Sequence, residues 1–253
     1  MLELGAGAEA VLAAGGRGSV TAVFRNAAYL RLPAGLFALT TDDVPSGPLH
    51  ARGALPIQRL VAGDPVTVTA SHLYAGGVTV DLAGATVWRG PLPSAGELAA
   101  GAGVALEVLV GARPSALADA DFEPRLAGAV AHLDRGDLAG VVDALAGLGP
   151  GLTPAGDDTL AGILLVTRAR LGPAAEPALV EQAQRARTND IAGAFMAWAA
   201  RGQSIEPVHR FLTASAGQDA ACATAALADL LRFGHSSGAD LAFGLRLAIA
   251  AIP

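Results

Sequence analysis

The stretch whose residue types could best bind a ligand or take part in catalysis runs from Gly147 to Asp158, with the sequence GLGPGLTPAGDD. Its glycines leave main-chain N–H groups uncovered, and the apolar run 159–167 behind it predicts a buried helix. Free N–H groups in front of the positive end of a helix dipole attract phosphate and carboxylate groups. We therefore expect an anion-binding site here, with these substrate-binding residues: Gly149, Gly151, Thr153 and Gly156.

Two adjacent acids, Asp157 and Asp158, close this stretch. They would repel an anion unless Mg²⁺ or a cationic ligand group bridges them, so we take both as candidate catalytic residues and as candidate ligands of Mg²⁺. The alternative is a glycine-rich turn into a core helix. In that case Thr153 caps the helix, Pro154 takes its first position, and the acids only favour its N-terminus.

A second helix opening, Gly234–Asp240, repeats the construction of the first: a glycine, a hydroxyl residue and an acid before an apolar run. His235 and Asp240 are candidate catalytic residues here, because a neutral histidine can donate to a substrate oxygen or transfer a proton. Ser236 and Ser237 are candidate substrate ligands. The alternative is that Ser237 and Asp240 only form a capping box.

The third segment is Arg187-Thr188-Asn189-Asp190, directly before the apolar run 191–200. In the functional interpretation Arg187 clamps an anionic group by a bidentate contact, and Thr188 and Asn189 complete the binding site. In the alternative, Arg187 is the basic last turn of one helix, and Thr188 or Asn189 caps the next.

These three stretches resemble the AllH family, and GLGPGLTPAGDD is the most specific of them. The best-known member of that family is one subunit of a bacterial oxamate carbamoyltransferase in the allantoin pathway. The resemblance extends from about Gly18 to the end of the chain. It implies a cytoplasmic enzyme subunit that acts near carbamoyl phosphate, oxamate or oxalurate, with other subunits of a carbamoyltransferase complex as partners.

Three functions stay open from the sequence. The first is a carbamoyltransferase subunit that binds a small anion at helix N-termini. The second is a helical Mg²⁺-dependent hydrolase or kinase acting on a small phosphorylated metabolite, and the third is a non-catalytic scaffold or metabolite-sensing subunit. In each case we expect the three helix openings to line one cleft, where Asp157 or Asp158 joins Asp240 around a cation or a protonated ligand group.

Composition excludes several other classes. The chain of 253 residues has a net charge of -6, and all 17 of its basic residues are arginines. The missing lysine excludes Schiff-base and pyridoxal phosphate chemistry, and the acidic balance argues against nucleic acid. The apolar runs are too short to predict a membrane span, and no signal-peptide pattern is present. A lone Cys222, expected to be buried in an alanine-rich helix, suits the reducing cytoplasm.

The order of predicted elements indicates an α+β fold. Short alternating runs such as 66–69 and 78–81, separated by glycine and proline turns, predict an antiparallel β-rich N-terminal domain, a small barrel or sandwich, over residues 1–112. Longer apolar segments predict an all-α domain over 113–253, which carries the glycine-rich stretch. We expect its core to include Leu160, Ile163, Leu164 and Leu241.

Overall fold

The computed structural model describes residues 1–118 and 121–251. The chain divides by its internal packing into Met1–Gly90 and Pro91–Pro253. The first unit carries the strands and the second carries most of the helices, so the α+β class is confirmed. The division falls before the expected boundary at residue 112, because the helix Ala95–Val108 packs against other helices of the second unit.

The N-terminal unit is built on one curled, mostly antiparallel sheet of nine strands in the described chain. Their order is β8-β7-β6-β2-β3-β4-β5-β1-β9, with the pairs β4–β5 and β1–β9 parallel. The strands are β1 (Glu3–Gly5), β2 (Gly16–Val23), β3 (Ala27–Leu32), β4 (Gly35–Thr40), β5 (His50–Arg52), β6 (Pro65–Val68), β7 (His72–Ala75), β8 (Val78–Asp81) and β9 (Thr86–Trp88).

The sheet has the alternation of buried and exposed side chains that the sequence pattern predicts. In β8, Val78 and Val80 are buried while Thr79 and Asp81 are exposed. The inward side chains form one apolar core with α1 (Ala6–Ala14). The sequence analysis did not predict this helix, because its residues are nearly all small and give little apolar periodicity.

The second unit is helical, as predicted. Its helices are α2 (Ala95–Val108), α3 (Phe122–Asp134), α4 (Leu138–Leu145), α5 (Ala155–Leu171), α6 (Glu176–Arg185), α7 (Asp190–Ala200), α8 (Glu206–Ala216), α9 (Ala220–Leu230) and α10 (Ser237–Ala250). A 3₁₀ turn covers Ser115–Ala118. The sequence pattern predicts a last helix from Ser237 to Ile252, and Ile252 lies outside the described residues.

Helix α5 is the centre of this unit, and its residues from Ala155 to Val166 are all buried. The four predicted core residues are all buried, as expected: Leu160, Ile163, Leu164 and Leu241. Helix α10 crosses α5 closely through two glycines. A Cβ atom added at Gly244 would lie 2.1 Å from the carbonyl oxygen of Thr159, and one at Gly162 would lie 2.6 Å from that of Leu241. The crossing therefore requires glycine on both helices and fixes their N-termini side by side.

Two further predictions concern the surface. Among the described residues, no helix is both long and apolar enough to cross a membrane. Cys222 is exposed, so the prediction of a buried thiol is wrong. The reason is its position on α9, whose core-facing residues are Ala223, Ala226 and Leu230.

Candidate functional site

The loop that enters α5 needs its glycines for their backbone conformation. Gly147, Gly149 and Gly151 have φ angles of +67°, +108° and +98°, which residues with a side chain rarely adopt. At Gly147 a Cβ would also lie 2.7 Å from the carbonyl oxygen of Arg187. The glycines therefore bring this loop against the Arg187–Asp190 segment.

Several N–H groups of this loop are free. Within the described part of the chain, the N–H groups of five residues have no hydrogen-bond acceptor: Gly149, Gly151, Leu152, Thr153 and Ala155. They lie in front of α5, whose dipole favours negative charge at this end. Gly156 differs from the prediction, because its N–H donates to the carbonyl oxygen of Leu148 at 2.8 Å. It is glycine for packing, since a Cβ there would lie 2.1 Å from the carbonyl oxygen of Leu145.

Asp157 ties the loop to the neighbouring segment. Its side chain is buried, Oδ1 accepts the N–H of Gly147 at 2.8 Å, and Oδ2 accepts the hydroxyl of Thr188. Burial raises the pKa of this carboxyl, and the hydrogen bonds from Thr188 and Gly147 oppose the rise. Because both oxygens are already occupied, the contacts of Asp157 are those of a residue that holds the site together.

The Arg187–Asp190 segment contributes an anchor and an unpaired cation. Asn189 caps α7 by accepting the N–H groups of Ile191 and Ala192 at 3.0 and 3.1 Å, as predicted. Its amide also donates to the carbonyl oxygen of Leu152 at 2.8 Å, which anchors the glycine-rich loop. Arg187 is exposed, and its guanidinium has no hydrogen-bond or ion-pair partner in the described chain.

The opening of α10 meets the opening of α5 through two hydroxyl groups. The Oγ1 atom of Thr153 lies 2.9 Å from the Oγ atom of Ser237. Thr153 therefore does not cap α5, which begins after Pro154 without a side-chain cap. Ser236 takes the N-cap position of α10, also without a side-chain cap. His235 beside it is exposed, and its ring has no hydrogen bond within the described residues.

Asp240 bonds to a residue that the sequence analysis missed. Its Oδ1 accepts the N–H of Ser115 at 2.6 Å, and its Oδ2 accepts the Ser115 hydroxyl at 2.8 Å. The expected capping box between Ser237 and Asp240 is therefore absent, because the carboxyl is taken by another segment. No local pattern points to Ser115, since it lies 125 residues away along the chain.

Asp158 is the carboxyl with unused hydrogen-bonding capacity. The residue is 6% exposed, and its Oδ2 atom is buried without a hydrogen-bond partner among the described residues. Burial raises its pKa well above the ordinary value, and the charges of Asp240 and Asp157 raise it further. Hydrogen bonds with Ser237 and Thr153 oppose that rise. Three buried carboxyls thus lie close together, and only Asp158 keeps an oxygen for an external group.

The carboxyls do not form a ready metal centre. No group of three or more His, Cys, Asp or Glu side chains in the described chain could hold a metal ion. The carboxyl oxygens of Asp157 and Asp240 accept hydrogen bonds from N–H and O–H groups. Their geometry therefore does not support the expected pairing of these acids around a cation. Mg²⁺ binding at Asp157 and Asp158 stays a prediction. Among the described residues, Oδ2 of Asp158 has no hydrogen-bond partner and is the oxygen that such an ion could contact.

The three helix openings nevertheless come together. Thr188 contacts Asp157, Asn189 contacts Leu152, and Thr153 contacts Ser237. We call this group the three-helix site: the loop 147–154 with the N-termini of α5, α7 and α10. Four of its free N–H groups lie on the loop and the fifth is that of Ala155, the first residue of α5. The backbone of Arg187 contacts the loop at Gly147, and the hydroxyls of Thr153 and Ser237 lie near the carboxyl of Asp158.

Fold and site together define an α+β protein whose helical unit carries a cluster of helix N-termini. Residues 145–249 match the family model described as "Oxamate carbamoyltransferase subunit AllH". This match confirms the AllH resemblance over residues 145–249, which contain every predicted site residue, whereas the expected resemblance began near Gly18. Over these residues the chain is similar to an oxamate carbamoyltransferase subunit, a description that names one component of a complex. Neither a curated protein nor a solved structure matches the chain.

Proposed function

We propose that this chain is a subunit of a carbamoyltransferase-type enzyme and that it binds a small anionic substrate at the three-helix site. The candidate substrates are carbamoyl phosphate, oxamate and oxalurate. The site offers donors and positive charge, which are what such anions need. The related family carries a carbamoyltransferase name, which supports this class of reaction.

One observation carries the proposal: five N–H groups between Gly149 and Ala155, at the start of α5, have no acceptor in the described chain. Backbone N–H groups are strong donors, and those of folded proteins are normally paired with protein or water. The loop exposes Pro150, Gly151 and Leu152, so a ligand can approach it from solvent. An oxyanion is the partner that this row of donors fits best.

Carbamoyl transfer has three chemical requirements, and different residues of this site can meet them. The leaving phosphate needs donors, the carbonyl oxygen needs positive charge, and the acceptor amide must be held in place. In our proposal the N–H groups of Gly149 and Gly151 bind the anionic group, and Arg187 supplies the positive charge. The tie between Asp157 and Thr188 keeps Arg187 beside the loop.

The test is ligand binding to the full chain, measured by calorimetry with carbamoyl phosphate, oxamate, oxalurate and inorganic phosphate. We expect at least one of these anions to bind, and Arg187→Ala to weaken it about tenfold or more, as the loss of a charged hydrogen bond does. Arg185→Ala is the matched control, because Arg185 has the same charge and lies on α6 opposite Asp143. If no anion binds, or if Arg185→Ala weakens binding as much as Arg187→Ala, the proposal fails.

A further inference from the structure

We propose that Asp158 recognises an amide group on the bound anion, with its Oδ2 atom accepting a hydrogen bond from the amide N–H. This inference rests on the proposed function, since it assigns the second end of a ligand whose anionic end occupies the loop. It makes Asp158 the residue that selects small anions bearing an amide over anions that carry only negative oxygens.

The geometry behind this assignment is the contrast among the three buried carboxyls. Asp157 and Asp240 each receive two donors from the chain, so both are satisfied. The Oδ2 atom of Asp158 receives none from the described residues, although this residue is buried too. An unpaired buried acceptor is costly in a folded protein and calls for a donor. The described residues offer no such donor, and in our proposal the ligand brings it.

The missing partner has to be a donor without negative charge. A second carboxylate or phosphate oxygen at this position would meet an acceptor and the neighbouring charges of Asp157 and Asp240. An amide N–H satisfies the acceptor without adding charge. The hydroxyls of Thr153 and Ser237 lie near the same carboxyl and oppose the rise of its pKa.

Thr153 and Ser237 are both partly exposed and lie near the buried carboxyl of Asp158. In our proposal, rotation of these two short side chains gives a ligand access to the carboxyl. The free N–H groups of the loop and the free oxygen of Asp158 then face one ligand, with donors for its anionic end and an acceptor for its amide end.

A pair of matched ligands tests this inference. Oxamate and oxalate have nearly the same shape, but oxamate has an amide where oxalate has a second carboxylate. Calorimetry on the full chain near neutral pH should show oxamate binding about tenfold or more tightly than oxalate, the effect of one charged hydrogen bond. Asp158→Asn replaces one carboxyl oxygen by an N–H₂ donor, which can bind a carboxylate of oxalate, so it should bring the ratio of the two affinities close to one or reverse it. Asp134→Asn is the control, because Asp134 is exposed on α3 and changes the net charge equally.

The outcomes separate this inference from the proposed function. Equal binding of oxamate and oxalate by the unaltered chain overturns the role of Asp158 but leaves the anion site standing. A preference for oxamate that survives Asp158→Asn overturns it as well. Binding of carbamoyl phosphate, oxalurate or inorganic phosphate, but of neither oxamate nor oxalate, overturns the inference alone. If none of the anions binds, the proposed function itself fails, and the inference fails with it. The comparison on the unaltered chain decides the matter even if the variant does not fold.

Discussion

The crossing of α5 and α10 makes Gly244→Ala an informative perturbation, because this contact sets the two site-forming helix openings side by side. The added Cβ would lie 2.1 Å from the carbonyl oxygen of Thr159, whereas ordinary contacts begin at 3.4 Å. The helices would have to separate by about 1.3 Å at this point. Both partners of the clash are main-chain atoms or fixed to the main chain, so no side-chain rotation relieves it.

The magnitude follows from two opposing effects. Alanine gains about 1 kcal/mol over glycine in a helix interior, and overpacking a core costs about 1–3 kcal/mol or more. Since the clash is with backbone, we expect a net loss of about 2 kcal/mol, which corresponds to a fall in Tm of about 4–8 °C for a chain of this size.

Gly103→Ala is the matched control for this variant. Gly103 lies inside α2, is exposed, and has no atom within 4 Å of an added Cβ. It should therefore show only the gain in helix propensity and raise the stability slightly. Urea and thermal unfolding of both variants give the comparison. If Gly244→Ala is as stable as Gly103→Ala, the close crossing of α5 and α10 is not as described.

Three other variants test single contacts of the site. Thr188→Val should lower the free energy of unfolding by about 1–3 kcal/mol, because it leaves Oδ2 of the buried Asp157 without its donor; urea unfolding measures this, and an unchanged midpoint would contradict it. Ser115→Ala should cost a similar amount of about 1–3 kcal/mol by removing one donor from Asp240, and a neutral result in the same assay would show that the contact is not formed. Asp158→Asn should become more stable relative to the unaltered chain as the pH rises from the ordinary carboxyl range towards neutrality. The raised pKa means that the folded state binds the proton more tightly, so the unaltered chain loses stability over this interval and the variant does not; parallel stability profiles would refute this.

The sequence predicted the helical unit well, because its signals are local. The residue types of Ser94 and Glu97 are typical of a capping box, which is present, and the Asn189 cap is present as well. Their hydrogen bonds join residues three positions apart or fewer, so a sequence pattern is enough to find them. The glycines at 147, 149 and 151 were also recognisable, since their positive φ angles belong to a loop that only glycine accommodates.

The roles of the acids could not be predicted, because they depend on partners far along the chain. In the sequence, Asp157 and Asp240 are candidate ligands of a cation. In the folded chain their carboxyl oxygens accept hydrogen bonds from Thr188 and Ser115, which belong to other segments. Asp158 has the same local surroundings as Asp157 but faces the opening of α10. Adjacent helix positions point about 100° apart, so neighbours in sequence meet different environments. The distinction between them therefore appears only in the folded chain.

The central claim, that the loop before α5 binds a small anion, is tested most directly by observing its N–H groups. A two-dimensional ¹⁵N–¹H spectrum of the full chain, titrated with oxamate and with inorganic phosphate, reports each amide separately. We predict saturable shifts of the amide signals of Gly149, Gly151 and Thr153, with the signal of Gly103 on α2 unchanged. Unchanged signals throughout the loop at saturating anion, or shifts confined to other parts of the chain, would contradict the claim.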